Sequence, residues 1–179
     1  MVKHNLEDLL RRMGVENVVA KLKQGGKVQL DDRYCPLCRC PVPKSEKDKF
    51  KLVLKRAKIG RTWAQNMAGT MHMSGRGVKK NDTEAARWFK KAAEAGITDA
   101  MTAYADCSCD GIGVPMSIID AKFWYEKASD AGGMVAQYNL GLMLSSGGPG
   151  VPADPVGAAR LFRKGADQGH DNAQCNLGH

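Results

Sequence analysis

The fold is decided by one stretch that occurs three times, as NDTEAARWFKKAAEAGITDA at residues 81–100, SIIDAKFWYEKASDAGGMVA at residues 117–136 and DPVGAARLFRKGADQGHDNA at residues 154–173. The copies are offset by 36 and then by 37 residues, and the extra residue falls within residues 147–150. A period of this length is typical of proteins that stack one small unit on the next, because each unit buries its apolar face only against its neighbours.

Each stretch follows a glycine and begins with a helix-capping residue. Glycine ends helices well because it adopts the left-handed conformation without a steric penalty. Asn, Ser and Asp begin helices well because their side chains accept a bond from a free backbone N–H. The repeat therefore predicts two helices per unit. The first helices are predicted at residues 62–73, 100–109 and 136–145, before Gly75, Gly111 and Gly147, and the second helices run from Asn81, Ser117 and Asp154 to Gly96, Gly132 and Gly169.

One face of each second helix carries small residues around a large one. Their spacing of three and four residues places them on the same side of a helix, where small residues allow close approach and the large residue fills the remaining space. Trp124 lies in the middle repeat, so we expect it to be the most tightly packed of the large residues. Cys107 is predicted to be a core residue, and His72 a packing or partly exposed residue rather than a catalytic one. The equivalent sets are Ala85, Ala121 and Ala158; Trp88, Trp124 and Leu161; and Ala92, Ala128 and Gly165.

The repeat resembles the Sel-1-like repeat, a relative of the tetratricopeptide repeat. The motifs that carry the resemblance are Leu140-Gly141, Gly75-x-Gly77-Val78, Asp154, Ala85-x-x-Trp88 and Ala92-Ala93-x-x-Gly96. The resemblance implies an all-α, right-handed α/α solenoid over residues 61–179, with three repeats and the start of a fourth. It also implies a non-catalytic scaffold or adaptor that binds other proteins and needs no cofactor.

The N-terminal third differs from the repeats in charge. Residues 1–60 hold 15 Lys/Arg and 7 Asp/Glu, whereas residues 61–179 hold 12 of each. We divide it into a basic segment at residues 1–44 and an amphipathic linker or capping helix at residues 45–60. A basic segment attracts nucleic acid through the phosphates, but no aromatic side chains alternate with the lysines, so the sequence does not favour nucleic-acid binding.

A second, shorter resemblance lies in this basic segment. Cys35-Pro36-Leu37-Cys38-Arg39 is similar to the last zinc-ligand pair of a RING finger. That resemblance implies an alternative function, the substrate-recognition part of a RING-type E3 ubiquitin ligase with a truncated RING finger. Cys35, Cys38 and Cys40 are then the candidate zinc ligands. A RING finger needs eight ligands for two zinc ions. Before Cys35 the sequence contains only one Cys or His, His4.

The sequence also indicates the cellular compartment. There is no N-terminal apolar segment of the signal-peptide kind and no run of about 18 apolar residues, so we expect a cytoplasmic protein without a membrane span. Reduced cysteines fit that compartment. Residues 175–179 begin a fourth repeat with no second helix to follow, so we also expect self-association at this end.

By similarity to tetratricopeptide geometry, partners bind along one face of the first helices. A spacing of four and then three residues places each trio of candidates on one side of its helix. The predicted partner-binding groove consists of Asn66, Thr70 and Met73; Thr102, Asp106 and Cys109; and Tyr138, Leu142 and Ser145.

Overall fold

Eight α-helices make up the regular structure of the computed structural model, which describes residues 43–177. Seven of them are 13 residues long, and each is separated from the next by a short turn or loop. In chain order they are α1 (Glu46–Lys58), α2 (Thr62–Ser74), α3 (Asp82–Glu94), α4 (Thr98–Asp110), α5 (Ile118–Asp130), α6 (Met134–Ser146), α7 (Pro155–Asp167) and α8 (Asp171–Leu177).

The chain divides into two compact units, residues 1–48 and residues 49–179. Only residues 43–48 of the first unit are described, and they include the start of α1, where the Ser45 hydroxyl accepts a bond from the Asp48 N–H. The second unit contains the three helix pairs α2–α3, α4–α5 and α6–α7, each helix packing on the next. This arrangement is the predicted all-α solenoid of helix pairs.

The predicted capping residues and the glycines that end the first helices are confirmed. Gly75 and Gly111 adopt left-handed φ values of 72° and 69° and close α2 and α4. The side chains of Asn81, Ser117 and Asp154 each accept the N–H three residues later, at 3.0, 3.2 and 2.8 Å. The first helices of the second and third repeats begin at residues 98 and 134, two residues earlier than predicted, because a single residue, Ile97 or Gly133, separates each from the preceding glycine.

A bond that recurs in all three repeats joins each cap to the helix before it. The N–H groups of Asn81, Ser117 and Asp154 donate to the carbonyls of His72, Ser108 and Leu144, at 3.0, 2.7 and 2.7 Å. The three acceptors occupy one equivalent position of the repeat. The cap thereby positions the second helix against the first.

The core is a series of clusters that follow the repeats. The predicted small residues of the second helices are buried. Trp88 is 3% exposed and Trp124 is 9% exposed, so the expectation that Trp124 is the more tightly packed of the two was wrong. The reason is α1, whose Phe50 and Val53 share a cluster with Trp88.

A contact that the sequence did not reveal lies between the helices of each pair. Phe89 and Phe162 pack their rings against Gly69 and Gly141, where an added Cβ would come within 2.6 Å of the ring. The middle repeat has Ala105 and Tyr125 at the same two positions. The aromatic residue of the second helix is buried in all three repeats.

No helix within residues 43–177 is long and apolar enough to cross a membrane. The described side chains of α8 that face solvent are polar or a thiol, including Asp171, Asn172 and Gln174. Self-association at this end stays a prediction.

Candidate functional site

The first helices of the repeats, α2, α4 and α6, each carry one stripe of exposed or half-buried side chains. On α2 the stripe is wholly exposed and contains two large apolar residues, Trp63 at 46% and Met67 at 38%. On α6 it contains Val135 at 46% and Leu142 at 42%. We call these stripes together the first-helix surface. Its members are Trp63, Met67, Thr70 and Ser74; Asp99, Ala103, Asp106 and Asp110; and Val135, Asn139, Leu142 and Ser146.

The central residues of the predicted groove belong to this surface. Thr70 and Leu142 are exposed and Asp106 is half-buried. Ser145 is exposed beside the stripe, and Asn66 is half-buried.

The remaining predicted groove residues lie deeper. Thr102 is buried and donates its hydroxyl to the Thr98 carbonyl at 3.1 Å. Met73 and Cys109 are half-buried against neighbouring core clusters. Tyr138 stacks on His170 with ring centroids 4.7 Å apart. These four side chains therefore contribute more to packing between helices than to the open surface.

A polar network joins three helices at the centre of the surface. The Tyr125 hydroxyl on α5 donates to Oδ1 of Asp106 on α4, and the Asn139 amide on α6 donates to the same oxygen at 3.2 Å. Burial raises the pKa of Asp106, although both hydrogen bonds oppose the rise. Burial and then the bond to Asp106 raise the pKa of Tyr125, so the phenol remains a proton donor. The network holds the carboxylate in one position.

Beside this network is a cavity of about 410 Å³. Tyr125 and Asn139, the two partners of Asp106, are part of its lining. Its walls come from the end of α4, from α5, from α6 and from the loop after α6. The lining residues are Cys109, Ile118, Tyr125, Asn139, Leu142, Met143, Ser146, Gly147, Gly148 and Pro149.

The charges of the first helices are of one sign. α2, α4 and α6 contain no Lys or Arg, and their three acidic residues, Asp99, Asp106 and Asp110, all lie on α4. Ion pairs of the described residues involve the second helices and the loop before α3, as in Lys80–Asp82, Arg87–Glu84 and Lys122–Glu126. The middle of the first-helix surface is therefore acidic, with apolar residues on both sides.

Cys107 and His72 are both buried within the helix pairs. Cys107 is fully buried, and burial raises its pKa to about 11, so it is a neutral thiol near neutral pH. His72 is buried edge-on against Phe50, and burial lowers its pKa. Both predictions, Cys107 in the core and His72 in packing, are confirmed.

Within residues 43–177 there is no group of three or more His, Cys, Asp or Glu side chains arranged to hold a metal ion. The candidate zinc ligands Cys35, Cys38 and Cys40 lie outside the described residues.

The fold and this surface define a class, the helical-repeat proteins built from stacked helix pairs. Comparison with known families gives the particular one. The profile of the Sel1 repeat matches residues 64–97, 98–133 and 135–170. The chain belongs to the Sel1 repeat family, and the three matches coincide with the three helix pairs.

Solved structures agree with this assignment. A Sel1 repeat protein from Oxalobacter formigenes is 34% identical, with a TM-score of 0.65 over 73% of this chain and 97% of that one. A protective antigen of uropathogenic Escherichia coli strains with an SLR fold is 30% identical, with a TM-score of 0.73 over 77% of this chain. This chain spans 29% of that antigen's length.

A more distant structure shows the fold alone. Helicobacter pylori cysteine rich protein B is 18% identical, with a TM-score of 0.57 over 75% of this chain and 98% of that one. Comparison with curated proteins finds no match.

Proposed function

We propose that the protein is a non-catalytic scaffold that binds another protein through its first-helix surface. The observation that carries the proposal is the two pairs of large apolar side chains left open there, Trp63 and Met67 on α2 and Val135 and Leu142 on α6. Exposed apolar residues grouped on one surface mark interaction sites, whereas isolated ones are common on any protein. Sel1 repeat proteins in general act as scaffolds for protein interaction, which supports the same conclusion.

The surroundings of this surface favour binding of a partner over chemistry on a small substrate. Asp106, its central charged group, already accepts two hydrogen bonds, from Tyr125 and Asn139. The cysteines of the described region, Cys107, Cys109 and Cys175, are free thiols, which fits a reducing, cytoplasmic compartment.

Proximity labelling with two matched variants tests the proposal. Leu142→Asp places a charge on the first-helix surface, and Val156→Asp places the same charge on α7, where Val156 is 62% exposed. Because both side chains are exposed, neither variant should lower the free energy of unfolding by more than about 0.5 kcal/mol, which urea denaturation checks.

We expect the wild-type protein and Val156→Asp to recover the same partners and Leu142→Asp to lose them. Equal recovery by both variants would show that the partner binds elsewhere.

A further inference from the structure

We infer that the first-helix surface takes an extended, basic peptide segment, with an apolar side chain in the cavity beside Leu142 and an Arg or Lys side chain on Asp106. This inference rests on the proposed scaffold function and adds the chemistry of the partner. It follows from the cavity, from the fixed carboxylate and from the charges around them.

The cavity is suited to an apolar side chain. Its volume is about 410 Å³, and Ile118, Leu142 and Met143 contribute to its lining. Met143 is packed against the core cluster that contains Trp124 and Leu140, so this wall is supported from behind. A side chain that enters the cavity gains the free energy of apolar burial without a large rearrangement of the protein.

Asp106 is suited to a cation. Both of its hydrogen bonds, from Tyr125 and Asn139, use the Oδ1 oxygen. Among the described residues no donor meets Oδ2, so that oxygen is left for a donor from outside. A fixed carboxylate loses little freedom on binding, and its bond with a guanidinium or ammonium group is charge-assisted and therefore stronger than a neutral one.

The surrounding charges select against acidic partners. Asp99 and Asp110 lie on the same helix as Asp106, and no Lys or Arg lies on α2, α4 or α6. The Arg56 guanidinium from α1 lies over the Trp63 ring, at the α2 end of the surface and away from Asp106 in the sequence of helices. An acidic segment would place like charges opposite this helix, whereas a basic one would be attracted to it. Asn139 bonds Asp106 and also lines the cavity, so the cation and the apolar residue are expected within a few residues of each other in the peptide.

Selection from a phage-displayed library of random dodecapeptides tests the inference with the full chain as bait. We expect the selected peptides to carry Arg or Lys within a few residues of Leu, Ile, Met or Phe. Synthetic copies should bind Asp106→Asn at least about tenfold more weakly, because the amide nitrogen replaces Oδ2 and cannot accept the bond from the cation. Asn preserves the oxygen that Tyr125 bonds, and a melting curve checks that the variant is folded.

Leu142→Asp distinguishes a failure of the basic-partner inference from a failure of the scaffold function. One contrary result is a set of peptides that lose binding to Leu142→Asp and yet lack basic residues, and another is a set that loses binding to Leu142→Asp but binds Asp106→Asn as tightly as the wild type. Either result would overturn the basic partner and leave the scaffold function standing. Peptides indifferent to Leu142→Asp, or no binding peptides at all, would count against both. Enrichment of acidic peptides would also overturn the inference.

Cys109 offers a second test that needs no peptide. Its thiol lines the cavity and feels the charges of Asp110 and Asp106, while Cys175 is an exposed thiol on α8. Two methanethiosulfonate reagents, one with an ethylammonium and one with an ethylsulfonate group, are compared by peptide mass spectrometry. Each forms a mixed disulfide and releases methanesulfinate.

We expect the cation-to-anion ratio of rates to be about tenfold higher at Cys109 than at Cys175, since opposite charges raise the local reagent concentration. The ratio should fall towards that of Cys175 in Asp106→Asn. Equal ratios at the two cysteines, or a preference that only Asp110→Asn removes, would overturn the role of Asp106.

Discussion

At the scale of single residues, two glycines with the same backbone conformation have different surroundings. Gly113 has φ +72°, and an added Cβ would lie 2.1 Å from the Asp82 carbonyl oxygen at the start of α3. Gly96 has φ +90° with no atom within 4 Å of the same position. The glycine in the loop after α4 is therefore needed for contact with the preceding repeat, whereas Gly96 is needed only for its own conformation.

Gly113→Ala should destabilise the protein by about 3 kcal/mol or more, the sum of left-handed strain and overpacking against backbone. Gly96→Ala should cost only about 1 kcal/mol, because it suffers the strain alone. Urea denaturation followed by circular dichroism measures both. Equal losses in the two variants would contradict the close contact at Gly113.

Cys107 should make the protein less stable in alkali. Burial raises its pKa from 9.0 to about 11, so the unfolded thiol ionises at a pH where the folded one cannot. Its stabilising contribution is complete below pH 9 and is lost as the pH rises towards 11, by about 1 kcal/mol between pH 9 and 10. Denaturation at several pH values should show that the free energy of unfolding falls less steeply between pH 9 and 10 for Cys107→Ala than for the wild type. An unchanged slope would exclude Cys107 as the cause.

At the scale of the helix, α5 presents neighbouring aromatic residues to opposite environments. Trp124 is 9% exposed within the core cluster, and Phe123 is 48% exposed, with the Lys127 ammonium 4.4 Å from its ring centroid. A rotation of about 100° per residue around the helix axis separates the two. α5 therefore has a clear core face and a clear outer face.

Trp124→Ala should cost about 3–5 kcal/mol, as aromatic-to-alanine changes in cores do. Phe123→Ala should cost about 1 kcal/mol or less, because little of its contact area is buried. Chemical denaturation compares the two free energies of unfolding. A loss below about 1 kcal/mol for Trp124→Ala would show that this face of α5 does not support the core.

At the scale of the whole molecule, the helices of the described region pack mainly on their neighbours in sequence. Stability in such proteins is a sum of repeats and of the interfaces between adjacent repeats. Damage in one repeat should therefore weaken with distance along the chain.

Phe162→Ala removes a ring that is 7% exposed and packs on Gly141. It should speed amide hydrogen exchange in α6, α7 and α8 and leave α2 and α3 protected, because only the adjacent repeat shares its contacts. Val156→Ala on the exposed side of α7 is the control. An equal loss of protection in every helix would show that the repeats unfold as one cooperative unit.

The sequence by itself determined the helix pairs, their caps and the buried faces of the second helices. These features depend on local chemistry that recurs with the period: Asn81, Ser117 and Asp154 begin helices, and the glycines at positive φ end them. Each copy confirms the others, so the pattern is readable without any knowledge of distant contacts.

Only the tertiary structure decided which side of the first helices is open and what lies there. α2, α4 and α6 carry small and apolar residues on several sides. Spacing alone therefore does not tell whether the open stripe of α2 contains Asn66, as predicted, or Met67, as observed. Tyr125 and Asn139 meet Asp106 across 19 and 33 residues of sequence, and the cavity beside them forms where three helices converge. Such a site depends on how the repeats pack in space, which no local pattern records.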